Sequence, residues 1–174
     1  NELLETGVTR SYNSRATSKS AFGVGWNHNY DIELLTTDYS EKLEEGQRIV
    51  MKDATGTMFF FVREENGTDE YISPMGRYLK LRKLAEDEQN FTVSLPNRTA
   101  GSESQPITVN IQAAYVVETK DNLSYWFNAG GQLVYMAEPN GNFLIFTHDV
   151  HSGLITEITT SKNLSIEFTY NTQP

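Results

Sequence analysis

The sequence predicts an all-β protein built of consecutive antiparallel hairpins that form a twisted, curved sheet. Three observations carry that prediction. Short apolar runs with period-two alternation recur along the chain, each bounded by Gly, Asn, Asp or Pro. Only residues 82–90, RKLAEDEQN, have helix-forming composition. Nine residues between strands are too few to hold a helix, so a polar connection is the competing assignment. The final third of the chain also repeats itself with an offset of 22 residues. The 38% hydrophobic content and mean hydropathy of -0.48 suit a thin β layer with one wet face.

In chain order, residues 10–35 open with the turn-formers Ser11, Asn13 and Ser14 and pass through a Ser/Thr/Lys loop. They tighten into Phe22-Gly23-Val24-Gly25-Trp26 and continue as an alternating strand from Tyr30 to Leu35. Glycines on both sides of Val24 imply positive φ or backbone held close to a packed ring, and Trp26 is the expected buried anchor. A phosphate-cradling glycine loop is excluded, because no helix pattern follows to supply an anion-binding N-terminus. A charged linker runs from Thr36 to Gly46. Arg48–Met51 and Met58–Val62 then read as strands around the Lys52–Gly56 turn. Asn66-Gly67 is the next hairpin signal, and Tyr71-Ile72-Ser73-Pro74-Met75-Gly76 leads into a strand over Tyr78–Leu81.

Phe91–Leu95 is a strand ended by Pro96. Residues 97–106, NRTAGSESQP, read as a flexible surface loop inserted within one domain, since similar strands flank it. Ile107–Val109, Tyr115–Val117 and Leu123–Phe127 follow, with Lys120-Asp121-Asn122 as a turn. In the repeat, Gly131, Leu133 and Met136 are matched by Gly153, Ile155 and Ile158, and Phe146–Asp149 by Phe168–Asn171. Asn140-Gly141-Asn142 marks the intervening turn. A unit of this length is about two strands, which cannot bury an apolar face without a stacked neighbour.

Three of these stretches resemble a known family. Arg10-Ser11-Tyr12-Asn13-Ser14-Arg15, then Phe22 to Trp26, then His28-Asn29-Tyr30-Asp31, are similar to the opening of RHS/YD-repeat proteins. The Tyr71–Gly76 segment recurs in that family after the opening motif. The 22-residue units resemble YD repeats in degenerate form: His148 stands where Tyr is usual before Asp149, and Asn171 where Asp is usual after Tyr170. The resemblance implies a section of an RHS/YD-repeat shell, with 1–81 as opening motif and first hairpins and 107–174 as degenerate repeats. It implies a non-catalytic structural role in housing or presenting a C-terminal toxin or effector. The implied partners are the remainder of the shell and the enclosed toxin, and the implied location is secreted or on the bacterial cell surface or wall. The structural motif residues are Arg10, Tyr12, Asn13, Ser14, Gly23, Gly25, Trp26, Tyr30, Gly76, Asn140, Gly141, Asn142 and Gly153. The opening Asn1-Glu2-Leu3-Leu4 and the closing Thr172-Gln173-Pro174 read like mid-chain sequence, so 1–174 is expected to be an excerpt of a larger protein.

Composition narrows the function classes. A net charge of -9, from 14 basic and 23 acidic residues, repels a phosphate backbone and argues against nucleic acid as a partner. The absence of Cys removes disulfides and thiolate chemistry. No apolar run approaches the ~20 residues of a membrane-spanning helix. His148-Asp149-x-His151 gathers metal-capable side chains, but neighbours along a strand point to opposite faces, so no metal is expected. His28 has no nucleophile or orienting partner at recognisable spacing, and no catalytic residue or cofactor is assigned. Nine Tyr, nine Phe and two Trp keep a carbohydrate-binding β-sandwich module open as the alternative, with a small hydrolase third. Most of these rings belong to the core, because in Phe59-Phe60-Phe61 and Tyr125-Trp126-Phe127 only every second ring faces out. An unpaired terminal strand would also permit self-association through its edge.

Overall fold

The computed structural model describes residues 7–15, 19–35, 48–64, 68–98 and 105–171, and all regular structure in them is β. Eleven strands form one antiparallel strip that is not closed into a barrel. Its members are β5 (Glu33–Leu35), β6 (Arg48–Lys52), β7 (Met58–Arg63), β8 (Glu70–Ile72), β9 (Leu79–Lys83), β12 (Tyr115–Thr119), β13 (Ser124–Phe127), β14 (Leu133–Ala137), β15 (Phe143–His148), β16 (Ile155–Thr160) and β17 (Ser165–Glu167). Neighbours in the strip follow chain order, as expected of hairpins joined edge to edge. The strand expected from Tyr30 begins only at Glu33, with Tyr30 in the preceding turn. The Asn66-Gly67 signal lies outside the described residues, although the strands flanking it do pair.

The pleat sorts the side chains. Phe61 is fully buried while Phe60 is 50% exposed, so the triple-Phe strand alternates as period two requires. The inner face collects Leu34, Ile49, Met51, Phe59, Phe61, Leu81, Val117, Phe127, Met136, Leu144, Phe146 and Ile158 into one core. Burying a side chain of that size contributes roughly 1.5–3 kcal/mol, so this face supplies most of the cohesion.

The strip is curled, because its first strand meets a turn far along it. The Leu34 amide donates to the Gly131 carbonyl at 2.8 Å, and Glu33 bridges Gln132. A Cβ on Gly131 would lie 1.7 Å from the Leu34 carbonyl oxygen, so only glycine permits this approach. The segment before β5 lies along the inner face, with Tyr30 against Phe146 (5.5 Å between centroids) and His28 stacked on Phe168 (6.0 Å).

Residues 86–88 form a turn, so 82–90 holds no helix: Arg82 and Lys83 close β9 and Asn90 opens the next strand. The strands on either side of the expected loop do not enter the strip. β10 (Asn90–Leu95) and β11 (Ile107–Gln112) pair only with each other and lie on the outer face. There Phe91, Leu95 and Ile111 cover Trp126, Tyr135 and Ile145 as a second core. A bulge assists: Trp126 pairs Tyr135 and Phe127 pairs Leu133, so Val134 is an extra residue that also packs against this hairpin. One wet face was the expectation. Over β13–β15 it fails, because that face carries Trp126, Tyr135 and Ile145 and needs a cover.

The 22-residue repeat has a physical counterpart. The Gly141 amide donates to Glu138 O at 3.1 Å, and 22 residues on, the Asn163 amide donates to Thr160 O at 2.8 Å. Both turn residues have positive φ, 88° and 56°. Tyr170 Oη donates to Ile155 O at 2.7 Å, while His148 Nε2 lies 2.7 Å from Leu133 O. His148 thus occupies the Tyr position of the unit and makes the same contact one repeat earlier.

Candidate functional site

The opening motif folds as two short ribbons. β1 (Arg10–Tyr12) pairs β4 (Trp26–His28), and β2 (Lys19–Ser20) pairs β3 (Gly23–Val24). On the first ribbon, Ser11 and Asn27 form the face turned to the β6–β7 turn: Ser11 Oγ donates to Ala54 O at 3.2 Å. Asn27 is buried beneath Gly56, whose Cβ position lies 2.5 Å from Asn27 Nδ2. Neither amide atom of Asn27 has a hydrogen-bond partner among the described residues.

The opposite face carries Arg10, Tyr12, Trp26 and His28. Here the structure corrects the expectation of a buried Trp26, which is 40% exposed. It packs against the exposed Tyr12 ring at 5.1 Å and beneath the Arg10 guanidinium at 5.7 Å. Burial on this ribbon falls at its end nearest the strip, where Asn27 lies on one face and His28 on the other, and the Tyr12–Trp26 pair is left at the exposed end.

The remaining motif residues hold backbone. The Asn13 amide donates to Gly25 O at 2.8 Å, and Asn13 Oδ1 accepts from the Arg15 amide at 3.0 Å, with Ser14 exposed in the turn between. Gly25 has φ of 78° and leaves no room for a Cβ, which would meet Asn13 O at 2.9 Å; Gly23 has positive φ with open space around it. Gly76 turns the chain between β8 and β9 at φ 83°, where the Ser73 hydroxyl bonds Arg77 O. Asn140 Oδ1 accepts from the Asn142 amide at 2.9 Å across Gly141, and the Gly153 amide donates to Asp149 O at 2.9 Å. These residues are distributed along the strip rather than gathered at one site.

His148 and Asp149 do not converge. The two His148 ring nitrogens face Leu133 O (2.7 Å) and Gly153 O (3.0 Å), whereas Asp149 Oδ1 accepts from the His151 and Ser152 amides in the turn. The described residues contain no group of three metal-capable side chains.

Polar groups do gather at the seam where the segment before β5 meets β14–β17. A cavity of about 510 Å³ opens there. Lys52, whose side chain is only 5% exposed, holds Asp31 Oδ1 at 2.9 Å and Glu33 Oε1 at 2.8 Å. Burial alone would lower the Lys52 pKa, but the Glu33 hydrogen bond and the two negative charges outweigh it and raise it. Burial holds His28 below the usual imidazole range, against the pull of Asp31 and with a smaller push from Lys52. His28 Nδ1 accepts from the Tyr30 amide at 3.2 Å, so the neutral ring carries its proton on Nε2. Sequence reading missed Asp31, Glu33 and Lys52. The available signal was a lysine closing the apolar run Ile49-Val50-Met51, with two acids spaced to share a face.

An open antiparallel strip whose last strands come from tandem 22-residue units is the architecture expected of an RHS/YD-type chain. Residues 1–61 match a family model described as "Domain of unknown function (DUF6531)", a domain typical of RHS/YD-repeat proteins, and the chain is similar to those proteins. Among curated relatives, it is 29% identical over 144 residues to the tRNA3(Ser)-specific nuclease WapA of Bacillus spizizenii. It is 28% identical over 144 residues to the tRNA nuclease WapA of Bacillus subtilis (strain 168). Each alignment covers 82% of this chain and 5% of the relative, so the chain spans about one-twentieth of the length of the curated relatives it matches.

Proposed function

We propose that residues 1–174 are a single all-β, non-catalytic segment of an RHS/YD-repeat shell that encapsulates or presents a C-terminal toxin. The observation that carries this reading is the open strip. β17 pairs with β16 on one side, and among the described residues no strand pairs with its other edge. An open edge presents backbone donors and acceptors to a further strand, and a shell is such a strip continued. The similarity to WapA nucleases supports the toxin context, and it supports a bacterial cell-surface or wall location. Nuclease activity is not carried over to this segment, which spans about one-twentieth of the WapA nucleases and whose net charge of -9 opposes a phosphate backbone.

Two measurements test the reading. Hydrogen exchange over residues 164–171, with sedimentation at several concentrations, reports the edge. Fast exchange in a monomer, or protection that rises with self-association, is expected. Strong protection in a strict monomer of the amides that do not bond to β16 means the outer edge of β17 is already covered, and the shell reading fails. Incubation with tRNA is expected to leave it intact, and cleavage by the pure chain would overturn the non-catalytic role.

A further inference from the structure

We propose that the free edge of β11 is a strand-addition site for a basic, extended segment of another protein. The inference does not rest on the shell reading. Three observations lead to it.

The first is the edge itself. β10 and β11 pair only with each other, so each has one side open. The Ala113 amide donates to Gln89 O at 2.8 Å, which fixes the alternation of the ladder: Phe91–Ile111, Val93–Val109 and Leu95–Ile107 are the bonded pairs. The N–H and C=O groups of Thr108, Asn110 and Gln112 therefore point away from β10, and all three residues are exposed. None of these backbone groups has a hydrogen-bond partner among the described residues. Edge strands are usually blunted by charge, proline or a bulge, and β11 has none of these.

The second is a groove beside that edge. A cavity of about 440 Å³ is lined by β11 on one side and by Val134, Ile145, Thr147 and Asp149 on the other. No β10 residue lines it, so it lies on the open side of β11. A strand laid there would bond β11 through its main chain and set alternate side chains into the groove.

The third is charge, which selects the guest. Phe146 and Ile158 belong to the inner core, so the pleat puts Thr147, Glu157 and Glu167 on the outer face. Glu157 stands opposite Thr147 of the groove on one side and opposite Glu167 on the other. Like charges directly opposed in a sheet are unfavourable, and neither carboxylate has an ion-pair partner among the described residues. No lysine or arginine lines the groove. A basic guest relieves the opposed pair, and an acidic guest adds to it. A second copy does not offer such a guest: its basic strand, β9, is paired on both sides by β8 and β12, and the short β1 and β2 carry one basic residue each.

The test is a titration of the ¹⁵N-labelled chain with a capped peptide of about eight residues alternating lysine and valine, enough to span β11. A glutamate–valine peptide of the same length is the control. The basic peptide is expected to shift the amides of residues 107–112 and 145–149 in a saturable manner, and to slow hydrogen exchange at Thr108, Asn110 and Gln112. Asn110→Pro removes an outward N–H without touching the β10 ladder, and should weaken binding by about tenfold. Thr92→Pro, on the open edge of β10, should leave it unchanged. Glu157→Gln combined with Glu167→Gln should weaken it by about fivefold. N-methylation of alternate peptide amides along one edge should abolish binding, which keeps the test decisive if Asn110→Pro does not fold. Absence of shifts up to about 1 mM peptide overturns the proposal. So do equal shifts from the acidic peptide, shifts centred on β17, affinity undiminished in the double Gln variant, or binding indifferent to N-methylation of either edge. Protection of β11 that rises with chain concentration alone gives the edge to a second copy and overturns it as well.

Discussion

Replacing Gly131 by alanine tests the curl of the strip. Three costs combine at this position. Its φ of 84° places an L-residue in the left-handed region, at about 1–2 kcal/mol. The new Cβ would sit 1.7 Å from the Leu34 carbonyl oxygen, a backbone atom that can retreat only by moving β5 away. That retreat breaks the 2.8 Å bond from the Leu34 amide to Gly131 O, worth about 1 kcal/mol, and re-exposes part of a side chain that is now buried. With about 1 kcal/mol for the partial exposure of Leu34, the total is roughly 3–4 kcal/mol. Gly76 and Gly141 serve as internal controls, since both have positive φ but no atom within 4 Å of an added Cβ. Alanine at either should cost only about 1–2 kcal/mol. Urea unfolding of the three variants is the assay. With an m-value of about 2–3 kcal/mol/M, Gly131→Ala should unfold at a concentration about 1 M below the two controls. If all three midpoints coincide, β5 is not held against the 128–132 turn, and the strip is flatter than described.

Trp26→Ala should cost about 2–3 kcal/mol, less than the roughly 3–5 kcal/mol of a fully buried aromatic, because the residue is already 40% exposed. In a Trp126→Phe background its emission should be red-shifted and readily quenched, and a blue-shifted, protected signal would contradict the exposed placement. For His28 the folded pKa lies below the ordinary imidazole value of 6.5, so between the two the unfolded chain binds more protons. Its contribution to stability is therefore present above pH 6.5 and is lost as pH falls from there toward the folded pKa. Thermal midpoints measured from pH 7.5 to 5 should drop less steeply in His28→Phe than in the parent, and parallel curves would refute the assignment.

Much of the strip was legible because alternation and turn chemistry act locally. Phe59-Phe60-Phe61 predicts its own two faces, and Asp53 and Gly56 close the β6–β7 turn expected of them. The turn at Asn140-Gly141-Asn142 was legible, and the structure adds its counterpart 22 residues on at Asn163. Three features were not legible, and for one reason: each depends on which distant surface a residue meets. Residues 91–95 and 107–111 alternate like any strand of the strip, and alternation says that a face is buried without saying against what. Trp26 looked like an anchor because rings beside glycines often pack, but burial on the ribbon falls at Asn27 and His28. The spacing of Asp31 and Glu33 puts them on one face, yet only the pairing of Glu33 with Lys52 brings the lysine between them.

The stacking of His28 on Phe168 and of Tyr30 on Phe146 sets an order of events for the chain as it folds. Hairpins between consecutive strands close over short loops and form early, whichever end becomes available first. The segment before β5 has one nearby ring, Phe22, 5.5 Å from His28, but its other ring contacts lie far along the chain. His28 and Tyr30 are made first on the ribosome, but they find their places only after β15 and the residues following β17 have been synthesised. Until then the contacts with Phe146 and Phe168 are unmade, so this docking follows the arrival of the strands through β17. A chain truncated before Phe168 would keep most of its hairpins and still lack this final step, which makes the opening segment a detector of length as well as a piece of structure.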